Sequence, residues 1–167
     1  WRDWVVAGGE VKVGGEGLTL KRTWRSLDGT AVDLKAQPVK LADLIYVELE
    51  VTNTRGERVQ NIALVDRLPA GWEIENARLG RGGSVDWVDA DSLWAADYVN
   101  VRDDRMEAFG ALQAHETKKL VYAVRAVTAG SFTLPSAEAE AMYDSSLWAR
   151  DAAGTVQVTG PWKDDLL

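Results

Sequence analysis

The chain has 167 residues, of which 46% are hydrophobic, enough for one well-buried core and too few for two. Its 19 Lys and Arg against 26 Asp and Glu give a net charge of −7, which argues against nucleic acid or an anionic membrane surface as a partner. It has no cysteine and a single histidine, so it offers no disulfide framework and no thiolate metal site. Because the chain starts at Trp1 and no apolar run is as long as a membrane span, we expect a piece of a longer protein that does not itself insert into a membrane.

The start of the chain predicts a lead-in followed by a hairpin. Residues 1–17 contain five glycines and short valine runs, which predicts a loosely held segment with a candidate edge strand at residues 11–13. Residues 18–25 alternate between apolar and polar, as a strand does. One face of that strand holds Leu18, Leu20, Arg22 and Trp24. Asp28-Gly29 then predicts a tight turn, with a return strand at residues 31–34.

The stretch from residue 44 to residue 74 has the clearest pattern, two strands joined by a polar turn. The first strand, residues 44–51, has a core face made of Ile45, Val47, Leu49 and Val51. Residues 52–58 contain no apolar side chain, which predicts the turn. The alternation restarts at Ile62 and ends where Pro69 and Gly71 interrupt it.

The second half of the chain continues the pattern of short strands and turns. Residues 98–101 and 106–109 flank a polar reversal and predict a second hairpin. Further strands are predicted at residues 119–128, 131–134 and 156–158. Residues 137–142 are rich in Ala and Glu and follow Ser136, a suitable cap, which predicts one short helical turn. The glycine-rich residues 79–84 predict a loop.

The fold class that follows is all-β, an antiparallel β-sandwich with at most one short helix. We expect one domain over residues 18–160, preceded by the lead-in at residues 1–17 and followed by a tail at residues 161–167.

No catalytic or metal-binding motif stands out. Residues 80–84 lack the spacing of a phosphate-binding glycine loop, and no serine lies in a nucleophile elbow. His115 beside Glu116 is more simply a loop histidine than half of an acid–base pair. Asp86, Asp89 and Asp91 lack the register of a calcium loop and are read as a solvated acidic loop. We therefore expect no enzyme activity, no cofactor and no metal.

The unusual feature of the composition is its eight tryptophans. Trp72 has strand spacing with Ile74 and is assigned to the core, whereas Trp24 is ambiguous because Arg22 shares its face. Trp87, Trp94 and Trp148 lie in polar contexts (VDWVDAD, DSLWAAD, SSLWARD) that suggest half-exposed rings. Each of them could fasten a loop onto the sandwich, but exposed tryptophans also dominate binding surfaces. The candidate partner-binding residues are therefore Trp87, Trp94, Trp148 and Trp24.

Three separated motifs, running in order between about residues 41 and 158, resemble a known family. They are LPAGWEIENARL, YVNVRDDRMEAF and LVYAVRAVTAGSFTLPSAEAEAMYDSSL. Together they look like the C-terminal domain of the bacterial α2-macroglobulins, a macroglobulin-like domain similar in position to the receptor-binding domain of the animal proteins.

The resemblance implies a β-sandwich at the end of a very large periplasmic protein, anchored to the inner membrane by an N-terminal lipid, that traps proteases. In that family a bait region is cut, the molecule rearranges and the protease is caged or captured by a thioester. In thioester-bearing members a tyrosine of this domain shields the reactive bond, and Tyr143 matches that position. Members without a thioester belong to operons whose products bind one another, and this chain does not show which type its parent is.

Three hypotheses follow from these observations. The leading one is a non-catalytic terminal module of a periplasmic protease-trapping protein, which docks an operon-encoded accessory protein or the parent's own domains through its tryptophan-bearing loops and Tyr143. An adhesin-type β-sandwich that spaces domains in a surface protein is the alternative. An enzymatic sandwich, such as a carbohydrate-active domain with tryptophans stacked on sugar rings, ranks last, because no paired carboxylates accompany the indoles.

Overall fold

Three β-sheets make up the computed structural model, which describes residues 14–34, 36–76, 87 and 89–160. The strands are β1 (Gly14–Glu16), β2 (Leu18–Arg25), β3 (Ala31–Val32), β4 (Val39–Lys40), β5 (Leu44–Asn53), β6 (Val59–Arg67), β7 (Trp72–Asn76), β8 (Tyr98–Val101), β9 (Arg105–Leu112), β10 (Thr117–Ala126), β11 (Gly130–Leu134), β12 (Ala137–Ala141), β13 (Asp144–Arg150) and β14 (Gly154–Thr159). A six-stranded sheet has the order β1-β13-β12-β6-β9-β8, a five-stranded sheet the order β3-β2-β5-β10-β7, and a three-stranded sheet the order β11-β14-β4.

The predicted all-β sandwich is confirmed, because the six-stranded and five-stranded sheets pack their apolar faces against each other. The inner face of β5 carries Val47, Leu49 and Val51, which are all 0% exposed, and that of β6 carries Ile62 and Leu64 at 0% and 1%. These side chains belong to one continuous core cluster. The alternation read from the sequence is therefore the burial pattern of the folded chain.

The connection between β5 and β6 runs from one sheet to the other. The polar turn lies where the sequence predicts it, but β5 pairs with β2 and β10, whereas β6 pairs with β12 and β9. The two strands thus face each other across the core instead of sharing a ladder. Local alternation cannot distinguish these arrangements, because a strand buries the same face in both.

The predicted helical turn at residues 137–142 is wrong, since β12 occupies this segment. Ala137, Ala139 and Ala141 are 0%, 1% and 4% exposed, and Glu138 and Glu140 point to the opposite face. The alternation of Ala with Glu has the period of a strand, and pairing with β6 and β13 on either side outweighs the weak helix preference of these residues. The one helical element among the described residues is a single 3-10 turn, Ala90–Ser92.

Other expectations can be compared with the described residues only in part. The hairpins of β2 with β3 and of β8 with β9 are confirmed, as are the strands β10, β11 and β14. One edge strand of the six-stranded sheet is β1, while residues 11–13, 79–84 and 161–167 lie outside the described part of the chain. Within the described part there is no helix with the length and apolar character needed to cross a membrane.

Candidate interaction surfaces

The tryptophans predicted to bind a partner do not form one surface. Trp24 is 7% exposed and lies in the core, with its ring edge-on to that of Trp72 at a centroid distance of 5.8 Å. The core assignment of Trp72, which is 4% exposed, is confirmed. Trp24, which the sequence left ambiguous, is a core residue, because the face it shares with Leu18 and Leu20 is the inner face of β2.

Trp94 is also buried, which corrects the expectation of a half-exposed loop residue. It is 7% exposed, and its indole Nε1 donates a hydrogen bond to the carbonyl oxygen of Ala111 at 2.9 Å. Its backbone N–H donates to the carbonyl of Lys119. Since Ala111 belongs to β9 and Lys119 to β10, Trp94 links the two main sheets at their margin.

Trp87 covers part of the outer face of the five-stranded sheet. Its ring packs edge-on against Tyr46 at 5.7 Å, and the Arg25 guanidinium lies 5.5 Å from its centroid. The indole nitrogen is buried and has no hydrogen-bond partner among the described residues. Trp87 is therefore half-buried and serves to hold its segment on the sheet.

Neither Trp148 nor Tyr143, which lies in the turn before β13, is buried. Trp148 lies in β13 rather than in a loop, between the buried Leu147 and Ala149, so its half-buried ring points to the outer face of the six-stranded sheet. The Arg150 guanidinium lies 5.6 Å from the ring centroid. Tyr143 is 86% exposed at the tip of the β12–β13 hairpin, beside Met142 at 58%.

The turn that presents Tyr143 is fastened by hydrogen bonds on both sides. The N–H of Met142 donates to the carbonyl of Asn61 at 2.9 Å, and Asn61 adopts a left-handed conformation with φ of 56°. Asp144 accepts from the hydroxyl and the N–H of Ser146, and these bonds lower the pKa of the Asp144 carboxyl. The backbone at Tyr143 is thus held in place while its ring extends into solvent.

The base of the same hairpin is held by Arg22, whose side chain is buried between the sheets. Its guanidinium donates to the carbonyl of Pro135, just before β12, at 2.7 Å and to that of Ala152, just after β13, at 3.2 Å. It also lies 2.6 Å from the carboxylate of Asp66 on β6, which in turn accepts a hydrogen bond from the hydroxyl of Tyr122. Burial raises the pKa of Asp66, despite the opposing effects of Arg22 and Tyr122.

Sequence reasoning missed this buried network, although the sequence contained a signal for it. Arg22 occupies a core position in the alternation of β2, and Asp66 continues the core register of Ile62 and Leu64 in β6. Two charged residues of opposite sign at core positions of facing strands predict a buried ion pair, because an unpaired buried charge is strongly unfavourable. Arg22 and Asp66 could be paired only once the five-stranded and six-stranded sheets were known to face each other.

The acidic loop is described only in part, at residue 87 and from residue 89 onward. Asp89 caps its own turn by accepting from the N–H of Asp91 at 3.1 Å, and Asp86 lies outside the described residues. The described residues contain no group of three or more His, Cys, Asp or Glu side chains placed to hold a metal ion.

Comparison with known proteins identifies the family. The family model described as "Bacterial Alpha-2-macroglobulin MG10 domain" matches residues 17–145. The chain belongs to this family. The MG10 domain is 31% identical, over 145 residues, to α2-macroglobulin of Pasteurella multocida, a match that covers 86% of this chain and 7% of the relative.

Solved structures agree with this assignment. The MG10 domain is similar to part of Salmonella α2-macroglobulin reacted with methylamine, with a TM-score of 0.78 and 32% identity over 89% of this chain and 10% of that chain. It is also similar to part of trypsin-activated Escherichia coli α2-macroglobulin, with a TM-score of 0.77 and 28% identity over 90% of this chain and 11% of that one. The chain spans 6% to 9% of the length of the first curated relatives, all named α2-macroglobulin or its homolog.

Proposed function

We propose that this MG10 domain is a non-catalytic docking module of a large protease-trapping α2-macroglobulin, and that Tyr143 is its principal contact. The observation that carries the proposal is the presentation of Tyr143, which is 86% exposed on a turn whose backbone is fastened to β6. An exposed aromatic ring on a rigid turn offers a large contact area and loses little conformational freedom on binding.

The parent protein is proposed from the relatives. One relative was solved after activation by trypsin, which supports a parent that changes when proteases cut it. We place the parent in the periplasm, anchored to the inner membrane, as the family resemblance implies. In a parent with a thioester, Tyr143 would shield the reactive bond. In a parent without one, it would contact a neighbouring domain or an operon-encoded accessory protein.

Site-specific photocrosslinking in the full-length parent tests the docking role. A photoreactive p-benzoylphenylalanine replaces Tyr143 in one variant and Val127, which is 41% exposed and follows β10, in a matched control. We expect a strong crosslink from position 143 and a weak one from position 127. Mass spectrometry then identifies the crosslinked residue as part of the parent itself or of an accessory protein. Equal yields at the two positions would contradict docking through Tyr143.

The protease-trapping role has its own test. Purified parent is incubated with trypsin, and the protease that co-migrates with it on a native gel is measured by activity on small and large substrates. We expect retained activity on small substrates and reduced activity on large ones. Free trypsin with unchanged activity on both would reject trapping, while leaving the crosslinking result at position 143 valid.

The adhesin-type spacer is no longer favoured, because the family match covers most of the β-sandwich. Of the tryptophans that the structure describes, Trp24, Trp72 and Trp94 are buried and Trp87 packs on its own sheet, so these four do not present an exposed platform for sugar stacking.

A further inference from the structure

A row of outward-facing side chains crosses the six-stranded sheet. Directly opposed residues pair from strand to strand across β13, β12, β6, β9 and β8. The row, which we call the aromatic row, consists of Trp148, Glu140, Ala63, Phe109 and Tyr98. Adjacent strands lie about 4.8 Å apart, so the row is about 19 Å long. Phe109 and Tyr98 stack at a centroid distance of 5.9 Å.

The carboxylates on this face differ in how they are neutralised. In the neighbouring row, Glu138 forms ion pairs with Arg150 at 3.6 Å and Arg67 at 3.8 Å, and Glu107 pairs with Arg102 at 3.1 Å. Glu140, in the aromatic row, has no ion pair or hydrogen bond to any described residue. It is half-buried, which makes its charge less well solvated than that of a fully exposed carboxylate.

The neighbours of Glu140 leave space for a ligand side chain. On one side its cross-strand partner is Trp148, and on the other it is Ala63, whose methyl group forms a low point between Glu140 and Phe109. A side chain that entered above Ala63 would meet the Glu140 carboxylate and the ring of Phe109. A cation satisfies both, because it pairs with a carboxylate and is attracted to an aromatic ring.

We propose that the aromatic row is a docking site for a protein segment that presents a Lys or Arg side chain, with the cation seated over Ala63 between Glu140 and Phe109. Glu138 and Glu107 on this face are neutralised by arginines, whereas Glu140 has no such partner among the described residues, so its charge favours a basic side chain at this point of the sheet. This inference rests on the proposed docking role in one respect, that the ligand is a protein. It assigns a chemistry to a surface separate from Tyr143, which lies at the hairpin tip.

The test is a titration of the 15N-labelled 167-residue chain with the peptide acetyl-Thr-Val-Arg-Val-Thr-amide, followed by NMR. The control peptide carries citrulline in place of Arg, which keeps the shape and removes the charge. We expect amide shifts in β6, β9 and β12 with the Arg peptide and none with the citrulline peptide. Glu140→Gln should weaken the binding of the Arg peptide about fivefold. Glu73→Gln, at an exposed position of β7 in the other sheet, should leave it unchanged.

Several results would overturn the proposal. Equal shifts with both peptides would mean that the site does not recognise a cation, and unchanged affinity in Glu140→Gln would place the cation elsewhere. If the same amides shift with increasing protein concentration alone, and sedimentation shows a dimer, the occupant is a second copy of the chain. Failure of the peptide to bind, together with a specific crosslink at position 143, would reject this site and retain the proposed function. Binding of the Arg peptide, together with equal crosslink yields at positions 143 and 127, would reject docking through Tyr143 and retain the aromatic row as a docking site.

Discussion

The guanidinium of Arg22 lies 2.6 Å from the carboxylate of Asp66 in the centre of the sandwich, and the two side chains are 2% and 0% exposed. Arg22 belongs to the five-stranded sheet and Asp66 to the six-stranded sheet, so their ion pair joins the two layers. The guanidinium of Arg22 also donates hydrogen bonds to the carbonyls of Pro135 and Ala152, so the same side chain holds both ends of the β12–β13 hairpin.

Removal of Asp66 should be strongly destabilising. Asp66→Ala leaves the buried Arg22 guanidinium and the Tyr122 hydroxyl without their partner, and we expect the free energy of unfolding to fall by about 3–5 kcal/mol. The matched control is Glu57→Ala, which breaks a 3.7 Å ion pair with Arg55 whose side chains are 80% and 40% exposed. That loss should stay below about 1 kcal/mol. Urea unfolding measures both, and similar losses would show that the buried network contributes little.

Tyr122 should make stability fall at high pH. Burial, together with the adjacent Asp66 carboxylate, raises the pKa of Tyr122 well above its ordinary value of 10.0. Above pH 10.0 the unfolded chain releases this proton while the folded chain retains it, so the free energy of unfolding decreases as pH rises. Tyr122→Phe removes this contribution, and urea unfolding at pH 9 and pH 11 should show a smaller decrease for the variant.

The tyrosinate absorbance at 295 nm provides the check on Tyr122 itself. As long as circular dichroism shows a folded chain, wild type and Tyr122→Phe should give the same alkaline difference spectrum. A smaller absorbance change in the variant below the unfolding pH would mean that Tyr122 ionises in the folded state.

Gly110 and Trp94 should be energetically coupled. A Cβ added at Gly110 would lie 2.8 Å from Cζ2 of Trp94, so Gly110→Ala should cost about 1–3 kcal/mol. Trp94→Leu removes the clashing ring and leaves the 3.2 Å approach to Cα of Ala96, so Gly110→Ala should cost less in that background. Gly56→Ala, where the nearest side-chain atom would be 3.8 Å away, is the control and should change stability little. An additive double-mutant cycle would contradict the packing of Trp94 on Gly110.

Ala42→Gly should stabilise the protein. Ala42 has φ of 73°, a left-handed conformation held by its N–H bond to the carbonyl of Ala126 at 2.8 Å. That conformation costs an L-residue about 1–2 kcal/mol, more than the 0.4–1 kcal/mol or so by which glycine favours the unfolded chain. We expect a net gain of up to about 1 kcal/mol in urea unfolding. Ala114→Gly, at an exposed turn residue without positive φ, should be destabilising, and a loss at both positions would reject the explanation.

The strands were largely predictable because their information is local. The core faces of β2 and β5 follow from alternation alone, and the turn at Asp28-Gly29 follows from its two residues. The helical turn predicted at residues 137–142 is wrong because the structure there is decided by contacts distant in sequence. Ala and Glu favour a helix locally, and the pairing of β12 with strands on both sides overrides that preference.

The accessibility of the aromatic residues could not be read from their neighbours in sequence. Trp94 and Trp148 lie in similar polar contexts, yet Trp94 is buried at the margin of two sheets and Trp148 faces outward from β13. The exposure of Tyr143 depends on the β12–β13 hairpin, which stands where the sequence predicted a helical turn.

By itself, the sequence determined the class of fold, the position of most strands and turns, and the family, because alternation, turn residues and motifs depend on neighbours along the chain. Only the tertiary structure decided that β5 and β6 lie in different sheets, that Arg22 meets Asp66, and that Glu140 lies in one cross-strand row with Trp148 and Phe109. These relationships join residues far apart in sequence. They depend on which strands pair and which sheets face each other, and a local sequence pattern does not encode either.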